Sequence, residues 1–200
     1  YVSLELNPTM AHDTAGSLAQ ARQLVPRVDR PNLMLKVPAT PEGLPVVTAL
    51  LADGVNVNVT LLFSAERYQQ VLEAWMAGLE KRLEGGASIR GIHSVASFFV
   101  SRVDTEAEKR MDQRLQQEPG LKAELDGLRG RVAVANARVA YGLFEKMLAS
   151  PRWERLKAQG AAVQRPLWAS TSTKNPAYRD TIYVDDLIGE KLATLRVEPS

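Results

Sequence analysis

The chain contains no cysteine. That removes disulfides, thiolate metal sites and thiol nucleophiles together; it fits a reducing compartment, and a cytoplasmic location is expected. Histidine is nearly absent. His12 and His93 stand far apart in no spaced motif, so a histidine-built metal centre is not expected. No apolar run approaches the roughly 20 residues a membrane helix needs. No basic stretch followed by an apolar stretch and a small-residue cleavage site marks a signal peptide. Neither sign of charge dominates: 25 Lys and Arg stand against 23 Asp and Glu, a net charge of +2. Such a balance builds no broad field for nucleic acid or an anionic membrane, although one or two well-placed cations suffice for a phosphate. Glycine-rich nucleotide loops are missing as well. No GxGxxG follows the first strands and no GxxxxGK[ST] occurs anywhere, which counts against nucleotide-binding sheets.

What is present is an ordinary globular composition, 45% hydrophobic and 24% charged over 200 residues, arranged as short β-rich runs alternating with longer helical patterns. Strands are expected at Tyr1–Leu6, Leu33–Val37, Val55–Leu62, Ser94–Val100, Arg165–Ala169 and Thr181–Val184. Helices are expected at Thr14–Val28, at Pro41–Ala52 with Thr40 as N-cap, from a Ser64 cap through Leu83, and over Thr105–Gln117, Val132–Ala149 and Trp153–Gln159. The charge-dense stretch Thr105–Arg131 reads as solvated helix surface rather than an interaction tail. Strand–helix repetition implies a parallel sheet with crossover helices, either a closed barrel or an open doubly wound sheet. A barrel needs eight strands and typically about 250 residues. The chain starts at Tyr1, inside an apolar alternating run, and stops soon after the last strand candidate. The expectation is therefore one domain, cut at both ends from something longer.

Parallel strands covered on both faces should be almost wholly apolar. Here they are interrupted at one spacing: Ser3 and Glu5 on the first, Lys36 on the second, Asn56, Asn58 and Thr60 on the third, and Ser97 on the fourth. The fifth runs into Ser170, Ser172 and Lys174. Residues two apart share a face, so each strand directs polar groups to one side, towards the C-terminal ends where barrel enzymes build their sites. A buried polar group left unpaired costs several kcal/mol, so this convergence points to a function.

Lys36 is the sharpest member. A lysine near the end of a buried strand loses hydration, which favours the neutral, nucleophilic amine; that amine can attack a ketone and form an iminium, an electron sink for C–C cleavage. The alternative is a lysine whose stem is buried and whose head pairs with Glu5. Glu5 could orient a water or relay a proton, or only neutralise Lys36. Asn58 and Thr60 could bind substrate hydroxyls or a water, or merely support the strand end. Arg102 could clamp a phosphate with two hydrogen bonds, or form a surface ion pair with Asp104 or Glu106. His93, Trp168, Tyr183 and Asp185 read as structural.

The segments VSLELNP (Val2–Pro8), LMLKVPATPEG (Leu33–Gly43), GVNVNVTLLFS (Gly54–Ser64), SVASFFVSRVDT (Ser94–Thr105) and RPLWASTSTKNP (Arg165–Pro176) together resemble transaldolase, in the family's order and across essentially the whole chain. The resemblance implies an α/β fold, a (β/α)₈ TIM barrel present as about six of its eight βα units. It implies a transferase of the pentose phosphate pathway that forms a Schiff base through Lys36. A dihydroxyacetone unit would pass from sedoheptulose 7-phosphate to glyceraldehyde 3-phosphate, giving erythrose 4-phosphate and fructose 6-phosphate. No metal or organic cofactor is implied, and the partners are sugar phosphates rather than nucleic acid or membrane. Residue by residue, Glu5 and Thr60 resemble the pair that holds the catalytic water, and Asn58 the asparagine that binds the dihydroxyacetone hydroxyls. Ser97 matches a substrate-contacting serine, Phe99 a wall of the pocket and Arg102 the phosphate-binding arginine. Where many relatives carry an arginine after the fifth strand, this chain has Ser172 and Lys174 as the stand-in phosphate contacts. The family's catalytic aspartate and a further asparagine lie on two strands that precede the matched segments, and no residue here takes those roles. A fructose 6-phosphate aldolase with the same lysine, or a non-catalytic barrel relative, are the competing readings.

Overall fold

Five of the six strand candidates form where the alternation places them, each followed by a helix. The computed structural model describes residues 1–189 and a two-residue strand at 193–194. The order is β1 (Val2–Glu5), α1 (Thr14–Val28), β2 (Leu33–Pro38), α2 (Gly43–Ala52), β3 (Asn56–Leu62), α3 (Ala65–Glu84), β4 (Ser94–Phe99), α4 (Ser101–Gln117), α5 (Lys122–Leu128), α6 (Val132–Leu148), α7 (Pro151–Ala158), β5 (Arg165–Ala169), α8 (Ile182–Asp186) and β6 (Ala193–Thr194). Helix starts follow from local side chains that accept otherwise unpaired N–H groups. Asp13 accepts from Gly16, Ser64 from Arg67 and Ser150 from Trp153. The Thr40 hydroxyl accepts the Gly43 N–H at 3.0 Å as expected, but the regular helix begins at Gly43, two residues beyond Pro41.

All strands are parallel, and their spatial order equals their sequence order, β1-β2-β3-β4-β5-β6. A doubly wound sheet reverses direction part-way. This sheet never does, which is how the wall of a (β/α) barrel is wound. Its two faces differ. Leu35, Val37, Val57, Val59, Ala96 and Phe98 are fully or nearly fully buried on one face and share a core with Val46, Leu50, Val71, Trp75, Ala137 and Phe144 of the covering helices. The other face carries Lys36, Asn58 and Ser97, with Met34 and Leu167 buried outside that main core.

One strand expectation is overturned. Thr181–Val184 does not join the sheet; Ile182–Asp186 is a short helix, and the strand next to β5 is Ala193–Thr194. Local β-branched composition loses to longer-range bonds. Tyr183 is buried and its hydroxyl donates to Asp104 at 2.8 Å, while Thr181 donates to Asp185 one helical turn on.

Candidate active site

Register aligns the polar positions laterally. Glu5 pairs with Lys36, Lys36 with Asn58, and Pro38 with Thr60. Cα partners in a ladder point the same way, so Glu5, Lys36 and Asn58 form a row across three strands. Lys36 Nζ lies 3.5 Å from Glu5 Oε2, with 28% of the lysine side chain and 55% of the glutamate exposed. The pair that could be structural is thus formed, yet it stands on the polar face at the β1 edge of the sheet rather than sealed in the core.

Asn58 is the hub. It is buried, donates to Ser3 Oγ at 2.9 Å and accepts from Ser97 Oγ at 2.7 Å. Those bonds cross from β3 to β1 and β4. Ser3 is a member that the sequence marks as polar without assigning it a task. Asn56, two residues earlier, has a different job. Its amide donates to the Leu33 carbonyl and accepts the His93 N–H, pinning the strand starts.

Thr60 is 1% exposed, and its hydroxyl has no hydrogen-bond partner among the described residues. Its carbonyl accepts the Ala39 N–H at 2.8 Å, so the backbone is held. The ladder then slips between Val59 and Leu62, and Leu61 sits at φ 60°. A branched side chain in that region is strained. The slip turns Leu61 outward and returns Leu62 to the core.

Beyond the strand ends, Phe99 stacks against Phe63 with ring centroids 5.3 Å apart, and the Arg102 guanidinium lies 5.2 Å from the Phe99 centroid. Neither ion pair considered for Arg102 forms: Asp104 turns inward to Ala133 and Tyr183, and Glu106 pairs with Arg110. The place of Phe63 beside Phe99 was not legible because it follows the bulge, where alternation ends. Lys174 donates to Ser172 Oγ at 2.7 Å, and both are exposed. Among the described residues no hydrogen bond joins them to the Lys36 group. Trp168 is buried and donates to the Leu187 carbonyl, as a structural residue would. A separate cleft of about 220 Å³, lined by Arg138, Tyr141 and Trp168 among others, contains none of the polar row. Among the described residues no cluster of His, Cys, Asp and Glu could hold a metal, and no helix is long and apolar enough to cross a membrane.

Residues 1–198 match the family model for transaldolase and fructose-6-phosphate aldolase. The chain belongs to that family. It is 56% identical over 187 residues to a transaldolase of Parafrankia sp., covering 94% of this chain and 49% of the relative. It is 54% identical over 187 residues to transaldolase 1 of Streptomyces coelicolor, covering 94% and 48%. The transaldolase of Saccharopolyspora erythraea is also 54% identical over 187 residues, with 94% and 49% covered. The chain therefore spans about half the length of the curated relatives it matches. Family membership agrees with the singly wound parallel sheet and with the polar row at its strand ends.

Proposed function

We propose that this chain carries the Schiff-base half of a transaldolase, with Lys36 as nucleophile. The observation that carries the reading is the lateral row Glu5–Lys36–Asn58, completed by Ser97 on the next strand. Lys36 Nζ adds to the C2 ketone of sedoheptulose 7-phosphate or fructose 6-phosphate. Loss of water from the carbinolamine needs a proton delivered to the leaving hydroxyl and later a proton removed from an attacking water. Glu5, 3.5 Å from the amine, serves that relay, and the unpartnered Thr60 hydroxyl holds the water on which it acts. The iminium then accepts the electron pair released when C3–C4 breaks. The proton acceptor for that cleavage is the family's aspartate, which no residue of this sequence matches. Asn58 and Ser97 bind the hydroxyls of the retained dihydroxyacetone unit until glyceraldehyde 3-phosphate takes it up. Phe99 walls the pocket, and Arg102, Lys174 and Ser172 take the phosphate. The same reading sets the reaction in the cytoplasm, with sugar phosphates as partners.

The test is borohydride trapping of the full-length protein with fructose 6-phosphate, followed by peptide mass spectrometry. A reduced sugar adduct on Lys36, absent from Lys36→Ala, is expected. Folded parent protein that traps nothing would sink the reading.

A further inference from the structure

The segment after β5 is tied to α4 at two points. At the first, Ser101 N–H donates to the Ser170 carbonyl at 3.0 Å, and the two hydroxyls meet at 2.9 Å. These bonds hold Ser170 at φ 54°, a conformation a serine rarely adopts. At the second, one carboxylate gathers three donors. Glu108 Oε1 accepts from the Tyr178 hydroxyl and from the Gly130 N–H at 3.2 Å, while Oε2 accepts from the Asn175 amide at 3.3 Å. Gly130 sits at φ +70°, and a Cβ there would lie 3.0 Å from the Tyr178 ring, so the tyrosine packs directly on the glycine. Burial, then the bond to Glu108, pushes the Tyr178 hydroxyl well above its ordinary pKa, which keeps it a donor.

Ser101 and Glu108 are seven residues apart on α4, about 10 Å along the axis. The five-residue step from Ser170 to Asn175 reaches up to about 17 Å when extended. The segment therefore has chain to spare between its two ties, and Ser172 and Lys174 within it are exposed. Arg102 lies on α4 between the same two ties. A segment held at both ends against one helix stays close to whatever that helix carries between the ties.

We propose that Glu108 and Tyr178 are positioning residues, which hold the segment carrying Ser172 and Lys174 beside Arg102 so that both cations serve one substrate phosphate. The inference rests on the transaldolase reading and extends it to residues outside the matched motifs. Neither residue touches the substrate. Glutamine at 108 cannot accept donors on both sides, and phenylalanine at 178 keeps the ring on Gly130 while losing only the hydroxyl, so the Tyr178 variant preserves the packing.

The experiment compares full-length parent, Glu108→Gln and Tyr178→Phe in three measurements: inhibition by inorganic phosphate, kcat and KM with fructose 6-phosphate as donor, and borohydride trapping of unphosphorylated dihydroxyacetone at Lys36. Loss of a hydrogen bond to a charged group predicts about tenfold weaker phosphate inhibition and a similar rise in KM, with kcat within about twofold. Dihydroxyacetone trapping stays at the parent level. Unchanged phosphate affinity in both variants overturns the inference while leaving Lys36 chemistry intact. Parallel losses towards dihydroxyacetone and phosphate also overturn it, since a general structural role weakens both. A parent that traps neither ketone removes the transaldolase reading, and this inference with it.

Discussion

Thr60→Val separates stability from activity at a single atom. The Thr60 hydroxyl is buried and finds no partner among the described residues, while its backbone is held by the bond from Ala39 and by the ladder to Pro38. Valine has the same branched shape and keeps that backbone. An unpaired buried hydroxyl costs about 1–3 kcal/mol, and a bound water recovers part of it. The substitution should therefore stabilise the fold by about 1 kcal/mol, or about 2–4 °C in Tm for a domain of this size. If the hydroxyl holds the water on which Glu5 acts, activity should fall about 100-fold or more. Urea unfolding followed by circular dichroism gives the first number, and a coupled fructose 6-phosphate assay gives the second. A stability loss above about 1 kcal/mol would mean the hydroxyl is already satisfied in the fold. Activity within about twofold of the parent would remove Thr60 from the relay. Either result refutes the reasoning, and the two point to different errors.

Other perturbations follow from the same geometry. Gly78 lies where α3 crosses α2, and a Cβ there would meet Leu51 Cβ and the Thr48 carbonyl, each at 2.8 Å. An exposed helical Gly→Ala change gains about 1 kcal/mol, whereas Gly78→Ala should lose about 1–3 by forcing the helices apart; a rise in the urea midpoint would contradict the close approach. Asp104 is 2% exposed, and burial raises its carboxyl above the ordinary range against the bonds from Ala133 and Tyr183. The folded state then holds that proton more tightly than the unfolded chain, so stability is lost as pH rises through the raised value. Asp104→Asn lacks the titration, and its unfolding free energy should gain on the parent's as pH rises from the ordinary aspartate range through the raised value. A pH-independent difference between the two would show that the carboxyl titrates as it does in the unfolded chain.

How much of this was legible depended on what each residue's neighbours were. The two-residue alternation of Asn56, Asn58 and Thr60 could be read without a structure, because a polar residue in a covered strand must have a reason. The same alternation could not distinguish Asn56, bound to backbone at the strand start, from Asn58, bound to Ser3 and Ser97 across the polar face. Strand order was beyond the alternation alone: βα repetition is common to barrels and doubly wound sheets, the family resemblance implied the barrel, and the unbroken order β1 to β6 agrees with it. Thr181–Val184 read as a strand because its composition is β-branched, but the deciding contact, Tyr183 to Asp104, spans 79 residues.

The same limit explains why the loop ties were invisible while the polar row was not. Lys36 attracts notice because a lysine is costly inside a sheet. Glu108 sits on a helix where, apart from the buried Asp104, most acidic and basic residues face solvent, and nothing in its local pattern separates it from Glu106, which makes an exposed ion pair with Arg110 one turn on. What distinguishes Glu108 is a tyrosine 70 residues away and a glycine with positive φ 22 residues away. A side chain placed in the core declares itself by violating the local rule. A side chain that organises a loop obeys the surface rule and declares itself only through its partners. For that reason Glu108 is harder to read from sequence than Lys36.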